Sequence, residues 1–206
     1  MEVIRTANAG VLLKLDGVSI LLDGVCEDLF PYIPTPDFLL KELITNYPDV
    51  VAFTHMHKDH YDKTYAELYT KDTLRSVYGP ELSHFIEMGN VKITPVSTRH
   101  IGKGDILHAS FIIEGSKCVW FMGDASPLCF KNIDNYPKPD VLIVPYAYVT
   151  NEASWKITKS LCADKILVVH LPEKENDSYG LWKDMDSTVK DDNSVYVLEI
   201  GENIVL

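Results

Sequence analysis

Three histidines and an aspartate stand within six residues of this chain, as His55-Met56-His57-Lys58-Asp59-His60. Imidazole nitrogens and carboxylate oxygens are ordinary protein ligands of zinc and similar ions, at about 2.0–2.2 Å. In an extended segment, residues two apart point the same way, so His55 and His57 can hold one ion. If the chain then turns into a helix, Asp59 and His60 face a second ion close by. Three surface histidines on a loop would spell the same letters. The apolar run 50–53 leading into the cluster and the aspartate inside it argue against that plainer reading.

Two ions need more ligands than one segment carries, and other strand ends supply them. His100 closes KITPVSTRH, Asp124 closes CVWFMGD after Gly123, and His170 closes ILVVH. Each lies where an apolar run leaves the core, the usual place for functional groups on a rigid scaffold. His108 begins the next apolar run and stays open as a substrate contact, a proton carrier, the ligand in place of His100 or a plain core histidine. His84, inside an expected helix, is assigned no chemistry.

The elements that must position these residues follow from period and punctuation. Residues 11–15 alternate, Asp16-Gly17 signals a hairpin, and 18–22 returns. A helix is expected over 36–46, with Thr35 as its cap and Pro36 in its first turn. Others are expected over 62–70, over 80–88 up to Gly89, over 152–162 behind Asn151, and over 178–189. Strands are expected over 50–53, 91–98, 111–113, 118–122, 141–144 and 166–169. A closing hairpin, 195–200 with 203–206, surrounds Gly201-Glu202. Strands in hairpins at both ends, alternating with helices between, predict mixed sheets covered by helices.

The chain has 206 residues, 46% hydrophobic and 24% charged, as expected of one soluble globular domain over 1–206. Its formal charge is 19 − 30 = −11. Such a surface repels phosphate backbones, so no nucleic-acid partner is expected, although bound cations would alter the local field. The longest apolar stretch, 141–149, is too short for a membrane span, which needs about 20 residues. The start, MEVIRTANAG, does not read as a signal peptide. Cytoplasmic residence is therefore expected. Cys26, Cys118, Cys129 and Cys162 form no CxxC pair and are expected as reduced, mostly buried thiols, with an exposed reactive one as the exception.

Taken together, THMHKDH and the three strand-end residues resemble the metallo-β-lactamase superfamily. The resemblance covers nearly the whole chain. It implies an α+β fold, a four-layered αββα sandwich with a two-metal site between the sheets. His55, His57 and His100 would bind the first ion and Asp59, His60 and His170 the second, with Asp124 bridging. Asp23, in SILLDG, would support the site from beneath. The stretch from PDVLIVPYAYV to KILVVH looks most like the branch containing the ascorbate-6-phosphate lactonase-like proteins.

The implied activity is that of a hydrolase. Two divalent ions, zinc first with manganese or iron as alternatives, would share a hydroxide that attacks a carbonyl carbon or a phosphorus. Asp59 and His108 are the catalytic candidates, Asp59 orienting the nucleophile and passing a proton to the leaving group. In the iron-containing oxygen-reducing branch a glutamate replaces the second motif histidine, so His57 favours hydrolysis. Tyr146, Tyr148 and Thr150 are candidate pocket residues. Arg99 and Lys103 could hold an anionic group, so the expected substrate is a small anionic ester, lactone or phosphoester. Alternatives are an iron-dependent oxidoreductase, a nuclease and a non-catalytic binding module. The nuclease is disfavoured by the acidic charge and the lack of room for the large inserted domain of nucleic-acid-processing members.

Overall fold

The structure is a computed structural model that describes residues 1–102, 105–132 and 136–206. Two sheets face each other. The first holds β1 (Glu2–Arg5), β2 (Val11–Leu15), β3 (Val18–Leu22), β4 (Val50–Ala52) and β5 (Val77–Tyr78). β13 (Asn203–Val205) joins it at the edge, giving the order β13-β1-β2-β3-β4-β5. The second runs through β6 (Ile86–Met88), β7 (Val91–Ser97), β8 (Ala109–Glu114), β9 (Cys118–Phe121), β10 (Val141–Pro145) and β11 (Lys165–Val169) to β12 (Val195–Val197).

The alternation read along 11–15 decides which residues meet. Leu13 and Leu15 turn inward beside Ile20 and Leu22, and face Ile93, Phe111, Phe121 and Ile143 of the other sheet in one buried cluster. The opposite faces are covered by helices. α1 (Asp37–Thr45) and α2 (Lys63–Thr73) place Leu43, Tyr65 and Tyr69 against Leu21, Val51 and Phe53. α3 (Glu152–Ser160) and α4 (Leu181–Val189) place Trp155 and Met185 on Leu142, Val144 and Val168. Layer by layer this is helix, sheet, sheet, helix, the expected αββα sandwich.

Local chemistry sets the helix ends. Asp62 accepts from the Tyr65 N–H at 2.9 Å and Asn151 from the Ser154 N–H at 2.9 Å, each satisfying an orphan first-turn donor. Thr35 does not cap α1 as expected. Its hydroxyl oxygen accepts the Cys26 N–H at 3.0 Å, and the helix starts behind Pro36 without a side-chain cap.

Three further expectations are corrected. Residues 80–88 do not form a helix: a turn at 80–81 leads to β6, and Gly89-Asn90 closes a tight hairpin that pairs Met88 with Val91. Ile86 and Met88, two apart, pack on the inter-sheet core, so the period there is that of a strand. Nor do the last two strands form a hairpin. β12 lies parallel to β11, whereas β13 pairs antiparallel with β1 in the other sheet. The segment between them crosses from sheet to sheet, pinned by the Arg5 guanidinium on the Leu198 carbonyl at 2.8 Å. The cysteines are free but not mostly buried: Cys26 is buried, Cys118 and Cys129 are half-buried, and Cys162 is exposed.

Candidate metal centre

The C-terminal ends of four strands meet between the sheets. β4 runs out through Phe53 and Thr54 into His55, and the chain then coils through His57 to a turn at 58–60. β7 leads to His100, β9 to Gly123-Asp124, and β11 directly to His170. The loops of His100 and Asp124 are tied together by the Ile101 N–H on the Asp124 carbonyl at 2.8 Å and by a bridge between His100 and Ala125. His170 has φ +63° and Asp23 φ +47°, left-handed conformations that non-glycine residues adopt mainly where the surroundings impose them.

The side chains form two groups. His55 Nε2 lies 3.0 Å from His57 Nδ1 and 3.3 Å from His100 Nε2. Two nitrogens bound tetrahedrally at about 2.0–2.1 Å from one ion would stand about 3.3 Å apart. In the other group, His170 Nε2 lies 3.2 Å and His60 Nε2 3.9 Å from Asp59 Oδ2. Asp124 sits between the groups. Its Oδ2 is 3.6 Å from His100 Nε2, and its Oδ1 is 3.5 Å from both His60 Nε2 and His170 Nε2. Both histidine groups have donor atoms close enough together to hold an ion.

Buried atoms left without a hydrogen bond support the same reading. Asp59 Oδ1, Asp124 Oδ1, His60 Nε2 and both His170 ring nitrogens are buried without a hydrogen bond. Unpaired buried polar atoms are costly, and so many in one spot mark a place where a ligand belongs. Of the motif's candidate ligands only His57 is exposed, with Met56 and Lys58 on either side of it, which puts the opening of the site there.

Outer hydrogen bonds fix which ring nitrogens point inward. Asp23, fully buried, accepts the Thr54 N–H at 2.7 Å, the Thr54 hydroxyl at 2.6 Å and the His60 Nδ1–H at 2.8 Å. Because the Thr54 hydroxyl proton is given to Asp23, its oxygen accepts from His55 Nδ1 at 3.0 Å. His100 Nδ1 donates to the Ile101 carbonyl. Each of these rings therefore turns a bare Nε2 toward the centre, the arrangement metal-binding histidines need.

The electrostatics differ from ring to ring. Burial, with His60 nearby, pushes His55 far below the usual histidine range. Burial and His100 lower His57. Burial opposes charge on His60, but Asp124 and Asp23 outweigh it and raise that ring well above its ordinary value. Burial likewise opposes the charge on Asp124, yet His170 and His60 hold its carboxyl well below the usual range.

His108 is placed beside the cluster, its ring 5.3 Å from that of His55. Ser110 donates to the Met122 carbonyl at 3.0 Å, Thr98 then donates to Ser110 at 3.0 Å, and His108 Nδ1 donates to Thr98 at 2.8 Å. The terminal carbonyl has no proton to give, so the chain runs one way and leaves His108 Nε2 bare and buried. Burial takes this ring down to about 3. His100, not His108, completes the group with His55 and His57.

The substrate candidates fare unevenly. Tyr146 stands with its ring 5.7 Å from that of His170. Tyr148 is 0% exposed inside the helix-covered core, so it presents no atom to a substrate and is corrected to a core residue. Thr150 is half-buried and makes no hydrogen bond with the cluster. Arg99 is exposed and lines a separate recess of 330 Å³ with Val96, Ser126 and Leu128. Lys103 lies outside the described residues. His84 is exposed on the turn before β6. Sequence reasoning missed Tyr32, whose ring meets His170 edge-on at 4.5 Å from the loop between β3 and α1, where no motif marks it.

Gly123 shows how tightly the site is built. It has φ +51°, and a Cβ there would lie 2.5 Å from the Thr54 side chain that orients His55. Gly123→Ala should cost about 2–4 kcal/mol through strain and overlap. In a chain of this size that lowers the melting temperature by roughly 5–15 °C, measurable by calorimetry. An unchanged melting temperature would mean that Thr54 has room to move.

Fold and site together define a helix-covered double sheet that carries a His/Asp cluster able to bind metal. The chain belongs to the beta-lactamase superfamily: the model of the beta-lactamase superfamily domain matches residues 6–173. A UPF0173 protein of Pyrococcus abyssi is 29% identical, the match covering 70% of each chain. A possible metal-dependent hydrolase from Veillonella parvula superposes with a TM-score of 0.74 at 18% identity, over 100% of this chain and 99% of that one. CmlA, a diiron β-hydroxylase of Streptomyces venezuelae, superposes with a TM-score of 0.66 at 14% identity, over 100% of this chain but 54% of that one.

Proposed function

We propose that this chain is a metal-dependent hydrolase with a two-ion centre, acting on a small ester, lactone or phosphoester. The observation that carries this reading is Asp124, one carboxylate whose two oxygens face two different groups of donors. His55, His57 and His100 hold one ion in this reading, Asp59, His60 and His170 the other, and Asp124 joins them. Zinc suits the nitrogen-rich first group best; manganese and iron suit the same donors. When bound, the ions supply an activated water and a positive centre that polarises the substrate.

The chain's own residues do the rest. Asp59 Oδ1 is buried and unpartnered, able to orient the attacking water, take its proton and return it to the leaving oxygen. His108, with its bare Nε2 and its ring beside those of His55 and His100, would accept a hydrogen bond from substrate or water. Asp23 and Thr54 keep the ligand rings in register. The resemblance of 139–170 to the lactonase-like branch is the reason lactones are kept among the substrates. The anionic group expected from Arg99 and Lys103 has no support from Arg99, which lines another recess. Among the described residues no helix is long and apolar enough to cross a membrane. We take the protein as a cytoplasmic enzyme of small molecules, with a charge of −11 unsuited to nucleic acid.

Metal removal tests the proposal. An ion bound at a thousand times its dissociation constant stabilises the folded chain by about 4 kcal/mol. Dialysis against a chelator should therefore lower the melting temperature by roughly 8–16 °C and abolish hydrolysis, both restored by zinc or manganese. A chelated protein that keeps its melting temperature and its activity would refute the metal-dependent reading.

A further inference from the structure

The wall beside the Asp59, His60 and His170 group is aromatic. Tyr32 meets the His170 ring edge-on at 4.5 Å and Tyr146 meets it at 5.7 Å, from loops after β3 and β10. Both phenols lie within electrostatic reach of Asp59, Asp124 and Tyr179. Tyr179, on the loop before α4, is 77% exposed. Two tyrosines from two separate segments thus converge on the His170 side of the centre. The carboxylates Asp59 and Asp124 pair with histidines, and with no lysine or arginine, among the described residues.

Resting on the hydrolase reading above, we propose that this tyrosine wall is the substrate pocket and that it selects a neutral aryl or acyl ester or lactone over a phosphoester. Two bound ions attract any oxygen ligand, so they do not discriminate between these classes; the wall does. Aromatic side chains bury planar apolar surface at little entropic cost. Phenol hydroxyls, protonated near neutral pH, donate to a neutral carbonyl or to the leaving oxygen. A phosphoryl dianion is held best by arginine or lysine. Among the described residues the one such side chain lining a recess with Tyr32 is Arg5, and its buried guanidinium is committed to the carbonyls of Ala7, Asn8, Leu171 and Leu198.

In the reaction, a water oxygen forms a bond to the acyl carbon and the acyl C–O bond breaks. The leaving oxygen keeps the electron pair and takes up a proton, giving an acid and an alcohol, or one hydroxy acid from a lactone. Tyr32 and Tyr146 would donate to the oxygen on which negative charge grows.

The test compares dihydrocoumarin, a neutral aryl lactone, with 4-nitrophenyl phosphate on the metal-loaded chain and its Tyr32→Phe and Tyr146→Phe variants. Binding of the matching lactam, 3,4-dihydro-2-quinolinone, is followed by saturation-transfer NMR. The expected result is a preference for the lactone of at least about tenfold in kcat/KM. Each variant should lose about fivefold or more in kcat/KM and in lactam affinity, with metal content unchanged. A preference for the phosphoester, or variants that bind the lactam like the wild type, would overturn the proposal. Lactam binding that depends on the tyrosines, without turnover of either compound, would keep the pocket and refute the hydrolase reading instead.

Discussion

Asp124→Ala should yield a folded chain that has lost at least about a thousandfold in hydrolytic rate, well beyond the 10–100-fold typical of an outer partner of a metal site. The reason lies in geometry. Asp124 Oδ2 faces His100 at 3.6 Å while Oδ1 faces His60 and His170 at 3.5 Å. Removing it takes one donor from each ion position together with the negative charge between them. Nothing in the fold depends on this side chain to the same degree, because its backbone carbonyl still accepts the Ile101 N–H. Circular dichroism should therefore be native while turnover and second-ion affinity collapse. Wild-type turnover in this variant would mean that the two groups do not act as one site.

The second large effect is expected at Asp23, which need touch neither metal nor substrate. It is 0% exposed and accepts three hydrogen bonds, from the Thr54 amide, the Thr54 hydroxyl and His60 Nδ1. Asp23→Ala strands these donors in the interior, each at about 1–3 kcal/mol. A stability loss of about 3–5 kcal/mol follows, along with 10–100-fold weaker metal binding as His60 and His55 lose their fixed tautomers. Asp23→Asn separates the two effects: it keeps the volume and one acceptor oxygen but not the charge. Urea denaturation beside a zinc titration reads both. Intact metal affinity in Asp23→Ala would show that the ring orientations do not depend on it.

Much of this site was legible in the chain because it is built from strand ends. A run of apolar residues that stops at a histidine or aspartate announces both a strand and the residue it delivers. That logic puts His55, His100, Asp124 and His170 just beyond strand ends, and in the structure they follow β4, β7, β9 and β11. Mixed sheets covered by helices were legible too, from the alternation at 11–15 and the caps and breakers around the helices, whereas the four-layer order followed only from the family resemblance.

What stayed hidden had no periodic signal. Tyr32 lies in a loop whose course depends on packing against His170, so no local pattern marks it. Tyr148 and Tyr146 are two apart after the same strand, yet one turns into the core and the other toward His170. The short helical turn over Tyr146–Tyr148 breaks the alternation that would have told them apart. Residues 80–88 misled because Pro80 and Gly89 punctuate a hairpin strand as well as they punctuate a helix. The crossing of the last segment between sheets is a tertiary choice, fixed by Arg5 and its distant carbonyl partners rather than by the turn at Gly201.

The central claim is that the histidines and aspartates hold two ions at once, and metal content per chain tests it most directly. The protein is purified without chelators and measured by elemental mass spectrometry beside His57→Ala. The account predicts close to two zinc or manganese ions per wild-type chain and a clear loss in the variant, whose first group keeps only His55 and His100 beside Asp124. No metal after reconstitution, or a stoichiometry unaffected by His57→Ala, would contradict it.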